Sequence, residues 1–93
     1  MRNVVGVDVE PETRVVFRMW RRKTEHGCIA LFPDEKVDAD GYTCSSYEHV
    51  GQHGGADYVG VMRRTRPATP AEYDDLAEEL SQLGYNLKIV KHR

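Results

Sequence analysis

The segment from Thr69 to Gly84 constrains the fold most, because it carries both the start and the stop signal of one helix. Thr69-Pro70-Ala71-Glu72 matches a capping box with proline at the first helical position, in which the threonine and glutamate side chains bond each other's backbone amides. Gly84 supplies the left-handed residue that commonly follows a last helical turn. The apolar residues between these signals recur at spacings of three and four, which predicts an amphipathic helix over residues 69–83: Tyr73, Leu76, Ala77, Leu80 and Leu83.

Most of the remaining chain alternates apolar and other residues with the period of a β-strand. The segments predicted to be strands are Thr13–Trp20, Cys28–Phe32, Tyr42–Val50, Tyr58–Arg64 and Tyr85–His92. Cys28–Phe32 is apolar on both faces, which is typical of a strand in the middle of a sheet. Gly51–Ala56, rich in glycine, is predicted to be a flexible loop between two of the strands.

The order of these elements predicts an α+β fold, a small, mostly antiparallel twisted sheet of four to six strands. The single helix of the C-terminal half packs on one face and is followed by a last strand. A chain of 93 residues suits a single domain, residues 1–93. Within it we expect an N-terminal strand or loose arm at 1–11, antiparallel strands over 13–64, the helix at 69–83 and the final strand at 85–92.

The charge and the apolar content of the chain exclude some functions. A net charge of −2 argues against bulk attraction to nucleic acid or to anionic lipid. No stretch approaches the ~20 apolar residues needed to cross a bilayer, and the acidic residues near the start do not fit a signal peptide. We therefore expect a cytoplasmic protein that does not enter membranes, with Cys28 and Cys44 as reduced thiols.

The segment Ser46–Tyr58 combines the most reactive side chains with the most backbone freedom, since it holds two of the four histidines and three of the eight glycines. Glycines at this density free backbone amides to form a concave nest for an anion, and histidines at its rim add donors. The predicted binding residues of this segment are His49, Gly51, His53, Gly54 and Gly55, with Tyr47 and Asp57 as supports.

A basic and aromatic sheet face forms the second part of the predicted site. The outward positions of the first and last strands gather Arg14, Arg18, Trp20, Lys88 and His92, provided that these strands are neighbours. The outward residues of the helix are acidic instead: Glu72, Asp74, Asp75, Glu78 and Glu79. The domain is therefore expected to be a charge dipole, whose basic side suits a phosphate-bearing ligand. An ordinary solvated surface with segregated charges is the alternative.

A metal site is the alternative use of the histidines. His49 and His53 are four residues apart, and Cys44 could be a third zinc ligand. The glycines around this interval favour a turn over the helix that would bring both rings to one face. The same histidines could act as a base in hydrolysis, but the chain has no G-x-S-x-G elbow and no P-loop. The sequence therefore favours a binding protein without a cofactor over an enzyme.

Several motifs together carry a resemblance to a known family. They are Phe17-Arg18, Ala30-Leu31-Phe32-Pro33, Ser46-Tyr47-Glu48-His49-Val50-Gly51-Gln52-His53-Gly54, Thr65-Arg66-Pro67-Ala68-Thr69-Pro70-Ala71-Glu72-Tyr73 and Gly84-Tyr85-Asn86-Leu87-Lys88. From about Val15 to Lys91 the chain resembles a family of short hypothetical proteins common in bacteriophages, prophages and other bacterial mobile elements. The resemblance implies the cytoplasm of a bacterial host and no established activity. Accessory proteins in that setting often act by binding, including binding that blocks host defence.

Taken together, the sequence predicts a non-enzymatic binding module for a host protein or a phosphate-bearing small ligand, with nucleic acid less favoured. Self-association is a further alternative, because open strand edges in so small a sheet invite a homodimer.

Overall fold

The computed structural model describes residues 11–21, 27–39, 41–48 and 52–93, which form one six-stranded sheet and two helices. The strands are β1 (Thr13–Trp20), β2 (Cys28–Lys36), β3 (Thr43–Glu48), β4 (Gln52–Asp57), β5 (Thr65–Pro67) and β6 (Leu87–Val90), and the helices are α1 (Tyr58–Arg64) and α2 (Pro70–Gln82). The predicted α+β fold, with a helix in the C-terminal half and a final strand after it, is confirmed. The segment predicted as an N-terminal strand or arm lies outside the described residues, except for Pro11.

The strands are ordered β4-β3-β2-β1-β5, with antiparallel neighbours, and β6 pairs with β1 in parallel. Both β5 and β6 lie along the same side of β1. β6 pairs with its first half, where Thr13 is opposite Leu87, and β5 pairs with its last residues, where Trp20 is opposite Thr65. The first and last strands are therefore neighbours, as the predicted basic face requires, and β4 is an edge of the sheet that the described strands form.

A helix covers each face of the sheet. On the α2 face, Leu76 and Leu80 of the helix are fully buried against a cluster from the strands, which contains Val15, Phe17, Cys28, Ala30, Phe32 and Tyr47. On the α1 face, Tyr58 and Val61 of the helix pack on Val16, Ile29, Leu31 and Cys44. Neighbouring residues of β1 and β2 thus supply both cores, because successive side chains of a strand point to opposite faces.

The α2 helix begins and ends as the sequence predicts. Thr69 and Glu72 form both hydrogen bonds of the capping box, and Gly84 follows the helix at φ +107°. The Glu72 carboxylate also accepts a hydrogen bond of 2.8 Å from Arg66 Nη1. These contacts, with the Arg66 hydrogen bond as the largest, lower the pKa of Glu72 to about 2. Within the described residues, neither helix has the length and hydropathy to cross a membrane.

The structure corrects two predictions between β3 and α2. The pattern predicts a strand over Tyr58–Arg64 and a loop over Gly51–Ala56, whereas the structure shows helix α1 and, from Gln52 to Asp57, strand β4. The buried residues of α1, Tyr58 and Val61, are three apart, so a short apolar run fits a helix as well as a strand. β4 forms in spite of its glycines because every residue of β3 pairs with it.

Candidate binding groove

A groove of about 590 Å³ lies on the α1 face, between α1 and the sheet. This volume is within the range of sites for small molecules. Ile29 and Val61, both from the core of this face, provide its apolar surface. Its other lining residues are Trp20, Ser46, Glu48, Arg64 and residues 53–57 of β4. We call this site the groove.

The register of the sheet brings Trp20 and Glu48 to the groove from opposite sides of Ile29. Arg18 of β1 is opposite Ile29 of β2, and Trp20 lies two residues beyond Arg18 on the same face. In β3, Ala30 is opposite Tyr47, so the next residue, Glu48, lies beside Ile29. The two strands that flank β2 therefore place the Trp20 indole and the Glu48 carboxylate on the same face as Ile29, one on each side of it.

Trp20 and Glu48 each carry a buried polar atom without a hydrogen-bond partner among the described residues. These atoms are the indole Nε1 of Trp20 and the carboxylate Oε2 of Glu48. Buried polar atoms in folded proteins nearly always have a partner, since leaving one unpaired costs about 1–3 kcal/mol. The groove thus offers one hydrogen-bond donor and one acceptor that the described part of the protein leaves unused.

Arg64 adds a positive charge to the groove. Its guanidinium carbon lies 5.3 Å from the centroid of the Trp20 ring, and its Nε donates a 3.2 Å hydrogen bond to the carbonyl of Gly60. A guanidinium at this distance is attracted to the ring of tryptophan. The backbone bond and the indole together hold the charge of Arg64 beside the Trp20 ring.

Arg18 has a structural role that corrects its predicted one. The residue is only 8% exposed, because α1 covers this part of the sheet. Its Nε donates to Thr65 Oγ1 at 2.9 Å, and its Nη2 donates to the carbonyls of Thr65 at 2.8 Å and Met62 at 3.2 Å. Burial lowers the pKa of the guanidinium. Arg18 therefore satisfies carbonyls at the end of α1, which have no partner within a helix, and does not present its charge to a ligand.

Arg14 and Lys88 lie far from the groove. They are opposite each other in β1 and β6, as expected for neighbouring strands, but Arg14 Nη1 bonds Asp34 at 3.1 Å. Arg14 is six residues from Trp20 along an extended strand, a separation of about 20 Å. The predicted basic face is thus divided: Trp20 belongs to the groove, and Arg14 and Lys88 lie at the opposite end of β1.

The predicted anion nest does not form at Gly54 and Gly55. Both glycines lie in the extended strand β4, and the described glycines with positive φ are Gly27, Gly41 and Gly84. A nest requires turn-like backbone that directs successive amides to one point, whereas successive amides of a strand point to opposite sides. The two other members of the predicted nest, His49 and Gly51, lie outside the described residues.

His53 and its predicted supports contact different helices. The His53 ring packs edge-on against Tyr47, with centroids 4.6 Å apart, and the Tyr47 hydroxyl donates to the Glu79 carboxylate of α2. Tyr47 is 1% exposed and belongs to the core of the α2 face. Asp57 precedes α1 as its N-cap residue, without a side-chain hydrogen bond to the helix, and lines the groove.

The zinc alternative meets a geometric obstacle. Cys44 is 3% exposed within the core of the α1 face, whereas His53 packs on Tyr47 in the α2 face. Side chains on opposite faces of one sheet cannot bind the same ion. Among the residues that the structure describes, no three His, Cys, Asp or Glu side chains are grouped to hold a metal.

A scan of protein-family models found no match to this chain, and searches of curated proteins and of solved structures found none either. The groove itself therefore provides the evidence for function. Sequence reasoning identified Trp20, His53, Gly54, Gly55 and Asp57 among its lining residues but missed Glu48, Ser46 and Arg64. Glu48 shares the alternation of Cys44 and Ser46 in β3, a signal that could have placed it on this face. Arg64 enters the groove only because its segment is a helix.

Proposed function

We propose that the protein is a non-enzymatic binding module whose groove takes a nucleotide, a phosphate-bearing small ligand. The observation that carries the proposal is a pair of buried polar atoms, Trp20 Nε1 and Glu48 Oε2, that line one groove and have no hydrogen-bond partner among the described residues. The volume of the groove, about 590 Å³, is compatible with a ligand of this size.

The chemistry of the two atoms defines the group that binds them. An indole N–H only donates and a carboxylate only accepts, so a ligand that binds both must present an acceptor and a donor. Nucleobases do this along their edges. Guanine matches best, because its O6 can accept from Trp20 while two adjacent nitrogens, N1 and N2, can donate to the oxygens of Glu48. We therefore expect guanine to bind more tightly than adenine, which has one exocyclic amine and no carbonyl.

The charges of α1 support a phosphate group on the ligand. α1 carries Arg63 and Arg64 in its last turn and has no acidic residue in its first. The guanidinium of Arg93 lies 4.4 Å from the ring centroid of Tyr58, which adds a third cation to this helix. Arginine forms strong, charge-assisted hydrogen bonds with phosphate. Asp57 lies at the other end of α1, so the phosphate is expected near Arg64.

The test is calorimetric titration with guanosine monophosphate and, separately, adenosine monophosphate. Glu48→Gln keeps the shape of the side chain but replaces one acceptor oxygen with a donor, and Trp20→Phe keeps an aromatic ring but removes the N–H. Each variant should weaken guanosine monophosphate binding by about tenfold or more, the effect of one hydrogen bond to a buried polar or charged group. Arg14→Met, outside the groove, should bind as the wild type does. Absence of binding to the wild-type protein at millimolar nucleotide would refute the proposal.

A host protein is the second candidate partner, and the charge distribution favours it. Asp74, Asp75 and Glu78 of α2 are exposed, whereas the charged residues of α1 are basic. An acidic surface of this kind would bind a basic host protein, as expected for an accessory protein of a phage or other mobile element that acts in the bacterial cytoplasm. Reversal of the three acidic charges to lysine should abolish capture of that host protein, while Trp20→Phe should retain it. Equal capture by both variants would exclude this surface.

A further inference from the structure

We infer that two copies of the chain pair through their β4 strands, antiparallel, with a two-fold axis through Gly55. The inference does not require a ligand in the groove, since it rests on the backbone of a sheet edge, although residues 53–57 of β4 also line the groove. β4 is the edge strand of the sheet order, and its exposed residues include His53, Gly54, Gly55 and Asp57. An edge strand presents backbone donors and acceptors that another strand can pair with.

One hydrogen bond fixes which residues of β4 point outward. The amide of Tyr58 donates to the carbonyl of Tyr42 at 3.2 Å, so these two residues form a hydrogen-bonded pair just beyond the end of the β3–β4 ladder. Hydrogen-bonded pairs alternate along an antiparallel ladder, which makes Cys44–Ala56 and Ser46–Gly54 the next bonded pairs. The N–H and C=O groups of residues 53, 55 and 57 therefore point away from β3, toward the edge that no described strand covers.

A two-fold axis perpendicular to the sheet places one residue of the strand opposite its own copy. With the axis at Gly55, the two Gly55 residues form one bonded pair, and His53 of each copy is opposite Asp57 of the other. All three outward residues of both strands then have partners. An axis at His53 or at Asp57 would pair fewer residues and would place two histidines or two carboxylates opposite each other, which is unfavourable for the carboxylates.

The side chains beside this axis are complementary. The Cβ atoms of His53 and Asp57 lie on the same face, since both residues are an even number of positions from Gly55, and the dimer places these residues opposite each other twice. The Asp57 carboxylate lies beside Gly60 of α1 in the single chain, so it turns toward His53 of the other copy when the strands pair. Val37 is apolar yet 56% exposed, and its Cγ2 lies only 3.3 Å from the position that a Cβ on Gly55 would occupy. The axis at Gly55 therefore brings the two Val37 side chains toward each other, where they shield one another from water.

Sedimentation velocity over a concentration series, up to the millimolar range, tests the inference. The wild-type protein should form a reversible dimer, and its absence throughout the series would overturn the proposal. His53→Asp and Asp57→His each create like pairs across the axis and should weaken the dimer about tenfold. The double variant H53D/D57H restores both opposite pairs and should recover most of that loss. A double variant as weak as the single ones would refute the register.

Two further measurements keep the test valid if a β4 variant folds poorly. Val37→Lys, at a surface position beside the axis, should weaken the dimer, whereas Ile89→Lys, in β6 at the opposite edge of the sheet, should not. In the wild-type protein, hydrogen exchange of the amides of residues 53, 55 and 57 should become slower as concentration rises. Exchange at 54 and 56 should stay unchanged, because these amides already bond β3. A dimer without this alternation would have another interface.

Discussion

Replacement of Arg18 by methionine should destabilise the protein strongly, although a charged residue in a strand would ordinarily be expected on the surface. Arg18 is 8% exposed and donates to Thr65 Oγ1 and to the carbonyls of Thr65 and Met62. Methionine keeps most of the apolar stem and removes all of these donors. The carbonyls at the end of α1 would then remain buried without this partner, and the helix that forms one wall of the groove would lose its anchor to β1.

The size of the effect follows from the groups left behind. The Thr65 hydroxyl keeps its own bond to the carbonyl of Val61, at 2.7 Å, so it is not orphaned. The carbonyl of Thr65, a residue with 0% exposure, loses its shortest bond from Arg18, although Arg21 Nε still approaches it at 3.2 Å. A buried polar group that loses its partner costs about 1–3 kcal/mol. We expect Arg18→Met to lower the free energy of unfolding by roughly 2–4 kcal/mol.

Urea denaturation followed by circular dichroism measures this quantity directly, through the midpoint and the slope of the transition. Arg14→Met is the matched control, because Arg14 lies in the same strand and its ion pair with Asp34 is exposed, at 37% and 60% of the two side chains. Surface pairs of this kind contribute about 0–1 kcal/mol. If Arg18→Met costs no more than Arg14→Met, the cap on α1 has no energetic importance and the reasoning is refuted.

The helix caps and the buried cores allow four further tests. Glu72→Gln should destabilise the protein above about pH 4.5, and this effect should disappear as the pH falls toward about 2. The reason is that the fold stabilises the Glu72 carboxylate, which lowers its pKa from 4.5 to about 2. Urea midpoints measured across this pH range test the prediction. Leu76→Ala, at a fully buried site, should cost roughly 2–5 kcal/mol in the same assay. Leu83→Ala, at a site 57% exposed, should cost under about 1 kcal/mol. Burial raises the pKa of the Cys28 thiol to about 12, so Cys28 should resist alkylation at pH 8 until the protein unfolds; rapid modification of the native protein, followed by mass spectrometry, would contradict this.

The predictable parts of the fold are those that local residues determine. α2 could be predicted because Thr69, Glu72 and Gly84 signal its ends and its leucines recur at helical spacing. β1 and β2 could be predicted because their side chains alternate or are buried on both faces. α1 could not, since its seven residues contain too few buried positions to distinguish a period of two from one of 3.6.

The groove was harder to predict than the sheet because it depends on contacts between distant residues. Trp20, His53, Gly54, Gly55 and Asp57 were identified from residue type, but their association with one groove follows from the path of α1 across the sheet. Helix α1 also buries Arg18. From the alternation of β1 alone, Arg18 and Trp20 would be expected on a solvent-exposed face. Sequence periodicity predicts on which face of the sheet a side chain lies. It does not predict whether a later segment of the chain, such as α1, covers that face.

The most direct test of the proposed function uses the single tryptophan of the chain. Trp20 gives the only indole N–H signal in a ¹H–¹⁵N correlation spectrum, so that signal reports on the donor that lacks a partner among the described residues. On titration with guanosine monophosphate, we expect a progressive downfield shift of the Trp20 Nε1–H proton, which Glu48→Gln weakens and Arg14→Met leaves unchanged. An indole signal that does not move at millimolar nucleotide would rule out nucleotide binding in the groove.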